Sequence, residues 1–215
     1  MPTERELAAQ FAVSRTVIRE AVSGLVAKGM LEVNAGSGTI IRRPTAEHVS
    51  QTMSLYLTGG QREFMSGHVT EVRRLLEVEI AGLAAQRRGP QDLADLKTIL
   101  DDYPNVSGKR DAFVNWDVSF HLRLATATQN DLLVLLLNSI SGIMTKVREV
   151  AFDVPGANEN ARRFHLAIFK QVELGSRDGA REAMREHIEN SERYMKTGLS
   201  LDSSVSATAK PGEEP

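Results

Sequence analysis

Four side chains in the second half of the chain are of types that could ligate a metal, and two of them have the spacing for it. Asp117 and His121 stand four apart, so on a helix they project from one face, alongside Val114, Leu124 and Ala125. His165 lies on an apolar helical stripe with Ile168, Phe169 and Val172. His187 follows Ala183 and Met184 and precedes Tyr194 in the same way, which turns both rings inward. A single inward histidine needs only a hydrogen bond within the core. An inward aspartate needs more, because an ionised carboxylate out of water is costly unless paired or metal-bound, and no Lys or Arg stands three or four residues from Asp117. A divalent ion meets that need. One carboxylate and three imidazoles offer only oxygen and nitrogen, a set that suits Zn²⁺, Ni²⁺, Mn²⁺ or Fe²⁺ alike. Cysteine is absent, which excludes thiolate ligands, disulfides and cysteine nucleophiles.

A second group sits near the N-terminus. Arg15, Thr16, Arg19 and Ser23 fall on the helix face opposite Ile18, Ala21 and Leu25. A recognition helix presents its early residues to base edges in the major groove, where an arginine can donate two hydrogen bonds to one guanine, worth about 1–3 kcal/mol of discrimination. In isolation the same residues describe a surface helix with two solvated arginines, so the surrounding elements decide the reading.

Those elements follow in order. Thr3 and Glu6 have capping-box spacing ahead of a short helix through Phe11, Ser14 can cap a second helix, and Gly29 supplies its stop. Met30–Val33 and Thr39–Arg42 then flank the glycine-centred Asn34–Gly38, a hairpin pattern. Pro44 opens a polar linker. From Val69 to Lys196 helical periodicity dominates, with breaks near Arg88–Pro90, Tyr103–Arg110, Asp153–Asn158 and Gly175–Gly179, so roughly six helices and no strand are expected there. The organisation read from this is a DNA-binding domain over 1–43, a linker over 44–68, an all-helical domain over 69–198, and a disordered Ser/Ala/Pro/Glu tail over 199–215.

Composition sets the outer bounds. With 215 residues and 41% hydrophobic content the chain can bury a real core. No apolar run is long enough to span a membrane, and no signal-peptide layout opens the chain, so the expectation is a soluble cytoplasmic protein. The net charge of −2 divides into +2 over residues 1–43, from six cations and four anions, and −4 elsewhere. That asymmetry is too mild to identify DNA by itself.

The motifs resemble a known family. Pro2-Thr3-Glu4-Arg5-Glu6-Leu7-Ala8, Val13-Ser14-Arg15-Thr16-Val17-Ile18-Arg19-Glu20-Ala21 and Gly36-Ser37-Gly38-Thr39 resemble, in order and spacing, the winged helix-turn-helix of GntR regulators. The resemblance implies DNA contacts from Arg5, Arg15 and Arg19, with Ser14 and Thr16 on the same surface and Gly36 at the wing tip near the minor groove. In that family a helix precedes the Pro-Thr-Glu-Arg block, so the first helix of the fold is expected to be missing here. Residues 69–196 resemble the FCD effector domain of the FadR-type subgroup, through Glu71–Glu77, Phe113–His121 with Asn130, His165–Ile168 and Arg185–His187. Metal-binding members hold a divalent ion at positions matching Asp117, His121, His165 and His187.

The fold class expected is therefore mainly α, a winged helix-turn-helix followed by an all-α bundle. The function the resemblance implies is a transcription regulator, not an enzyme. It would bind a palindromic operator in double-stranded DNA as a homodimer and act as a repressor relieved by effector. A small carboxylate, a hydroxy acid or sugar acid, would bind at the metal and favour one arrangement of the reader domains. Arg73 is its candidate partner, against the alternative of a helix-surface ion pair with Glu77. Two rival readings are a metal-dependent enzyme, which lacks an evident general base, and an acyl-CoA-responsive regulator, whose relatives do not keep the ligand positions.

Overall fold

The computed structural model describes residues 1–34, 38–42 and 62–208. The chain divides into two compact units, Met1–Thr52 and Met53–Pro215.

In the first unit, α1 (Glu4–Phe11) opens on the expected capping box. Thr3 Oγ1 accepts from the Glu6 backbone N–H at 3.3 Å, and Glu6 Oε2 accepts from the Thr3 N–H at 2.8 Å. These bonds from Thr3 hold the Glu6 carboxyl below its usual range. Ala12, in the left-handed region at φ 53°, turns the chain toward α2 (Arg15–Ala27), where Ser14 Oγ caps the Val17 N–H at 3.3 Å. Gly29, at φ 67°, ends α2, with Met30 N–H bonded back to the Leu25 carbonyl. Strands β1 (Leu31–Asn34) and β2 (Gly38–Ile41) pair antiparallel, Leu31 opposite Ile41 and Asn34 opposite Gly38, one residue displaced from the spans expected. Of the apolar face expected on α2, only Ile18 is buried; Ala21 and Leu25 stay exposed, since α1 and β1 cover little beyond Ile18 among the described residues.

The second unit is all helical among the described residues: α3 (Arg62–Arg87), α4 (Pro90–Asp101), the one-turn α5 (Tyr103–Val106), α6 (Arg110–Ala127), α7 (Asp131–Phe152), α8 (Ala157–Glu173) and α9 (Arg177–Thr208). Helix α6 is central. Phe113, Val114, Trp116, Asp117, Phe120, His121, Leu124 and Ala125 are buried on more than one face, because α3, α4 and α7 pack around it. Helix α3 buries the line Arg73, Glu77, Ile80 and Ala84, so the bundle interior receives charged groups as well as apolar ones.

Three boundaries differ from expectation. Helix α3 begins at Arg62, inside the segment read as linker, while 44–61 lie outside the described residues. The break between α6 and α7 has no glycine or proline. Gln129 takes φ 54°, and Asn130 Oδ1 caps α7 at the Leu132 N–H. Helix α9 continues to Thr208 through the start of the expected tail, because Met195 is buried and Gly198 lies against the Val150 backbone of α7; residues 209–215 lie outside the description. None of the described helices is long and apolar enough to cross a membrane.

Candidate metal centre

Three helices bring the four expected ligands to one point. Helix α6 supplies Asp117 and His121, α8 His165 and α9 His187, each no more than 4% exposed. One ligating atom from each lies within 4.8 Å of all the others. His121 Nε2 and His187 Nε2 face each other at 3.3 Å, His165 Nε2 lies 3.3 Å from Asp117 Oδ1, and His121 Nε2 lies 3.9 Å from Asp117 Oδ2. Phe120 stacks on the His165 ring at 4.2 Å and fixes its plane.

The protonation of the rings suits a ligand set. Burial, reinforced by His121 and Arg148, holds the His165 ring well below the usual imidazole range, and burial with His165 and His121 does the same for His187. Both rings are neutral near pH 7, the form that binds metal. His165 is fully buried, yet neither ring nitrogen has a hydrogen-bond partner. Buried polar atoms are almost always satisfied, so this orphaned ring fits a divalent ion.

Two contacts around the centre are not visible in the sequence. Glu77 on α3, 1% exposed, contacts His121 Nδ1 through Oε2 and accepts from Arg73 Nε at 2.6 Å through Oε1. Burial alone would raise its carboxyl; the Arg73 guanidinium and His121 outweigh that and hold it well below the carboxylate range. A carboxylate on Nδ1 directs the His121 Nε2 lone pair to the centre, the usual support of a metal-bound histidine. Arg148 on α7 pairs with Asp117 Oδ2 through Nε. The aspartate judged unpaired from its own helix thus has a cation from a neighbouring one, which a search at i±3 and i±4 cannot see. Burial and repulsion from Arg73 bring the Arg148 guanidinium down to about 9, still charged at neutral pH.

Arg73 does form the Glu77 pair considered from the sequence, but in the core: it is 4% exposed, with Nη1 reaching Ser191 Oγ at 3.5 Å. A cleft opens beside the centre, with Asp117, Arg148, Asn158, His187, Ser191 and Tyr194 in its wall and Phe113 and Phe152 on its apolar side.

In the other unit Arg5, Ser14, Arg15, Thr16 and Arg19 are all exposed, on α1, the intervening turn and the start of α2. The Arg19 to Glu4 ion pair, at 3.7 Å between exposed side chains, is too weak to hold Arg19 from a phosphate or base. Gly36 lies outside the described residues.

Residues 68–190 match the FCD domain, and residues 1–41 match the bacterial regulatory proteins of the gntR family. The HTH-type transcriptional regulator LutR of Bacillus subtilis is 32% identical over 194 residues, covering 88% of both chains. The chain belongs to the GntR family and carries an FCD domain. It is a DNA-binding transcriptional regulator, not an enzyme. Another relative, the galactonate operon transcriptional repressor of Escherichia coli, is 28% identical over 199 residues, covering 91% of this chain and 87% of that one. Among solved structures, a Streptococcus agalactiae GntR protein superposes with a TM-score of 0.69 at 29% identity, over 90% of this chain and 88% of that one.

Proposed function

We propose that this regulator binds a divalent metal ion through Asp117, His121, His165 and His187, and that a small carboxylate bound beside the ion controls its affinity for DNA. The observation that carries the reading is the convergence of one buried carboxylate and three buried imidazoles, with an unpartnered His165 ring, in an FCD domain, beside a cavity that Asp117 and His187 line. Four protein ligands leave coordination positions for a carboxylate or water on a six-coordinate ion. When bound, the ion supplies a fixed positive charge that an anionic effector can approach. Glu77 orients His121, and Arg148 holds the second oxygen of Asp117.

The effector class proposed is a hydroxy acid or sugar acid, in keeping with the named role of the galactonate operon repressor. Polar groups of Asn158, Ser191 and Tyr194 can meet its hydroxyls. Arg73 would act on the effector through Ser191, whose hydroxyl its Nη1 reaches at 3.5 Å. On the DNA side, Arg5, Arg15 and Arg19, with Ser14, Thr16 and Gly36, would read and grip a palindromic operator from a homodimer, working as a repressor in the cytoplasm beside the chromosome. Exposed Val72, Leu75, Leu132 and Leu136 on α3 and α7 offer apolar surface for the partner subunit.

The test is operator binding by gel shift at fixed salt with the zinc-loaded protein. A hydroxy acid in excess should shift the midpoint, and Arg19→Ala should weaken binding about 10-fold or more. A midpoint unmoved by any acid of a panel overturns the effector reading, and an unchanged Arg19→Ala midpoint overturns the DNA-surface assignment.

A further inference from the structure

The cavity beside the metal centre contains an arginine whose fork is half used. Arg148 is 7% exposed, and its Nε is engaged with Asp117, while Nη1 and Nη2 are buried with no hydrogen-bond partner. A guanidinium has five N–H donors in one plane, so the paired edge accounts for one of them and leaves the other edge bare. Leaving charged donors unmatched in the interior is among the costlier arrangements a fold can hold, and it indicates a group that is supplied from outside.

The charge pattern says what that group is. The interior holds Arg73 with Glu77 and Arg148 with Asp117, two cations matched by two carboxylates. A divalent ion on the ligand set adds positive charge that no further carboxylate in the cavity wall offsets among the described residues. An anion therefore fits where a neutral or cationic ligand does not. Planar paired donors favour a carboxylate in bidentate contact. In the wall of the same cavity, Asn158 on α8 donates from its amide to the Phe152 carbonyl at 3.4 Å and leaves Oδ1 buried and unpartnered. An orphaned acceptor calls for a donor, which a hydroxyl supplies and a plain alkyl chain does not.

We infer that Arg148 receives the effector's carboxylate on its Nη1 and Nη2 edge, and that Asn158 Oδ1 accepts from a hydroxyl of the same molecule. Through Nε the same guanidinium holds the oxygen of Asp117, so effector recognition and the metal ligand share one side chain. This inference rests on the carboxylate-effector reading and assigns its anion-binding residue.

The experiment uses the full chain loaded with zinc, its metal content measured, and follows thermal stability and calorimetric titration. The probes are D-galactonate, D-gluconate and L-lactate, each beside the alcohol of the same carbon chain: galactitol, sorbitol and propylene glycol. The expected result is that at least one acid binds and its alcohol does not. Arg148→Gln should then bind that acid about 10- to 100-fold more weakly at unchanged zinc content. Arg148→Lys, which keeps the charge without the fork, should fall between, and Asn158→Leu should lose about 5- to 10-fold. If wild type binds an acid and zinc-loaded Arg148→Gln and Arg148→Lys bind it equally well, Arg148 is not the receptor and the effector reading survives. Equal binding of acid and alcohol also overturns the assignment. If no acid binds wild type, the effector reading fails and this inference fails with it.

Discussion

Separating Arg73 from Glu77 should reveal how much the buried pair costs to break and how little it contributes to stability. The two side chains are 4% and 1% exposed and meet at 2.6 Å. Removing one partner of such a pair strands the other charge in the core, at about 3–5 kcal/mol. For a domain of this size each kcal/mol moves the melting temperature by about 2–4 °C, so Arg73→Met should lower it by roughly 6–20 °C. Glu77→Leu should cost more, because it also strips the partner from His121 Nδ1, an added loss of about 1–3 kcal/mol. The double variant replaces the pair with apolar groups and should keep little beyond the His121 loss of about 1–3 kcal/mol, since an apolar substitute for a buried ion pair is itself close to neutral. The assay is urea and thermal unfolding of all four proteins in chelator, so that bound metal does not contribute, with the coupling taken from the double-mutant cycle. Single losses that simply add in the double variant would refute the claim that these charges answer each other in the core.

Two further outcomes follow from particular residues. His165 and His187 have folded-state values well below the unfolded value near 6.5, so the unfolded chain binds more protons than the folded one in that interval. Metal-free protein should therefore be most stable above about pH 6.5 and lose stability as pH falls below it, by up to about 1.4 kcal/mol per pH unit for each ring; melting temperatures that stay level from pH 7.5 to 5.5 would contradict this. A methyl added at Gly198 would run into the Val150 carbonyl oxygen, a backbone atom that cannot swing aside, so Gly198→Ala should destabilise by about 1–3 kcal/mol in denaturant titration, whereas Gly24→Ala, facing open space, should not.

How much of this was legible in the sequence depended on the range of the signal. Local chemistry read well: the Thr3 capping box, the Ser14 cap and the Gly29 stop each involve residues within a few positions of one another. The inward faces of the helices carrying Asp117, His121, His165 and His187 were legible from their apolar neighbours. Their meeting at one point was implied only by family resemblance, because helical periodicity gives a face and not the neighbour that packs on it. Arg148 and the Glu77 contact with His121 escaped for that reason. Each joins different helices, and neither pairing has a spacing to find. The α6–α7 break was missed because a glutamine there adopts the left-handed conformation that sequence signals assign to glycine or asparagine. Over 199–208 the tail reading gives way to a helix, and composition is the reason it misled. A polar, small-residue stretch has little to bury, yet α9 is anchored on α7 at Gly198 and continues past it.

The central claim is that the FCD domain holds a divalent ion on Asp117, His121, His165 and His187. The most direct test is elemental analysis of the full chain after zinc loading and exhaustive dialysis, beside His165→Ala, which removes a ring from the centre without touching the Arg73–Glu77 pair. Wild type should retain about one ion per chain and His165→Ala almost none while the fold is retained. A wild type that emerges without metal, or a His165→Ala protein that keeps its full complement, would contradict it.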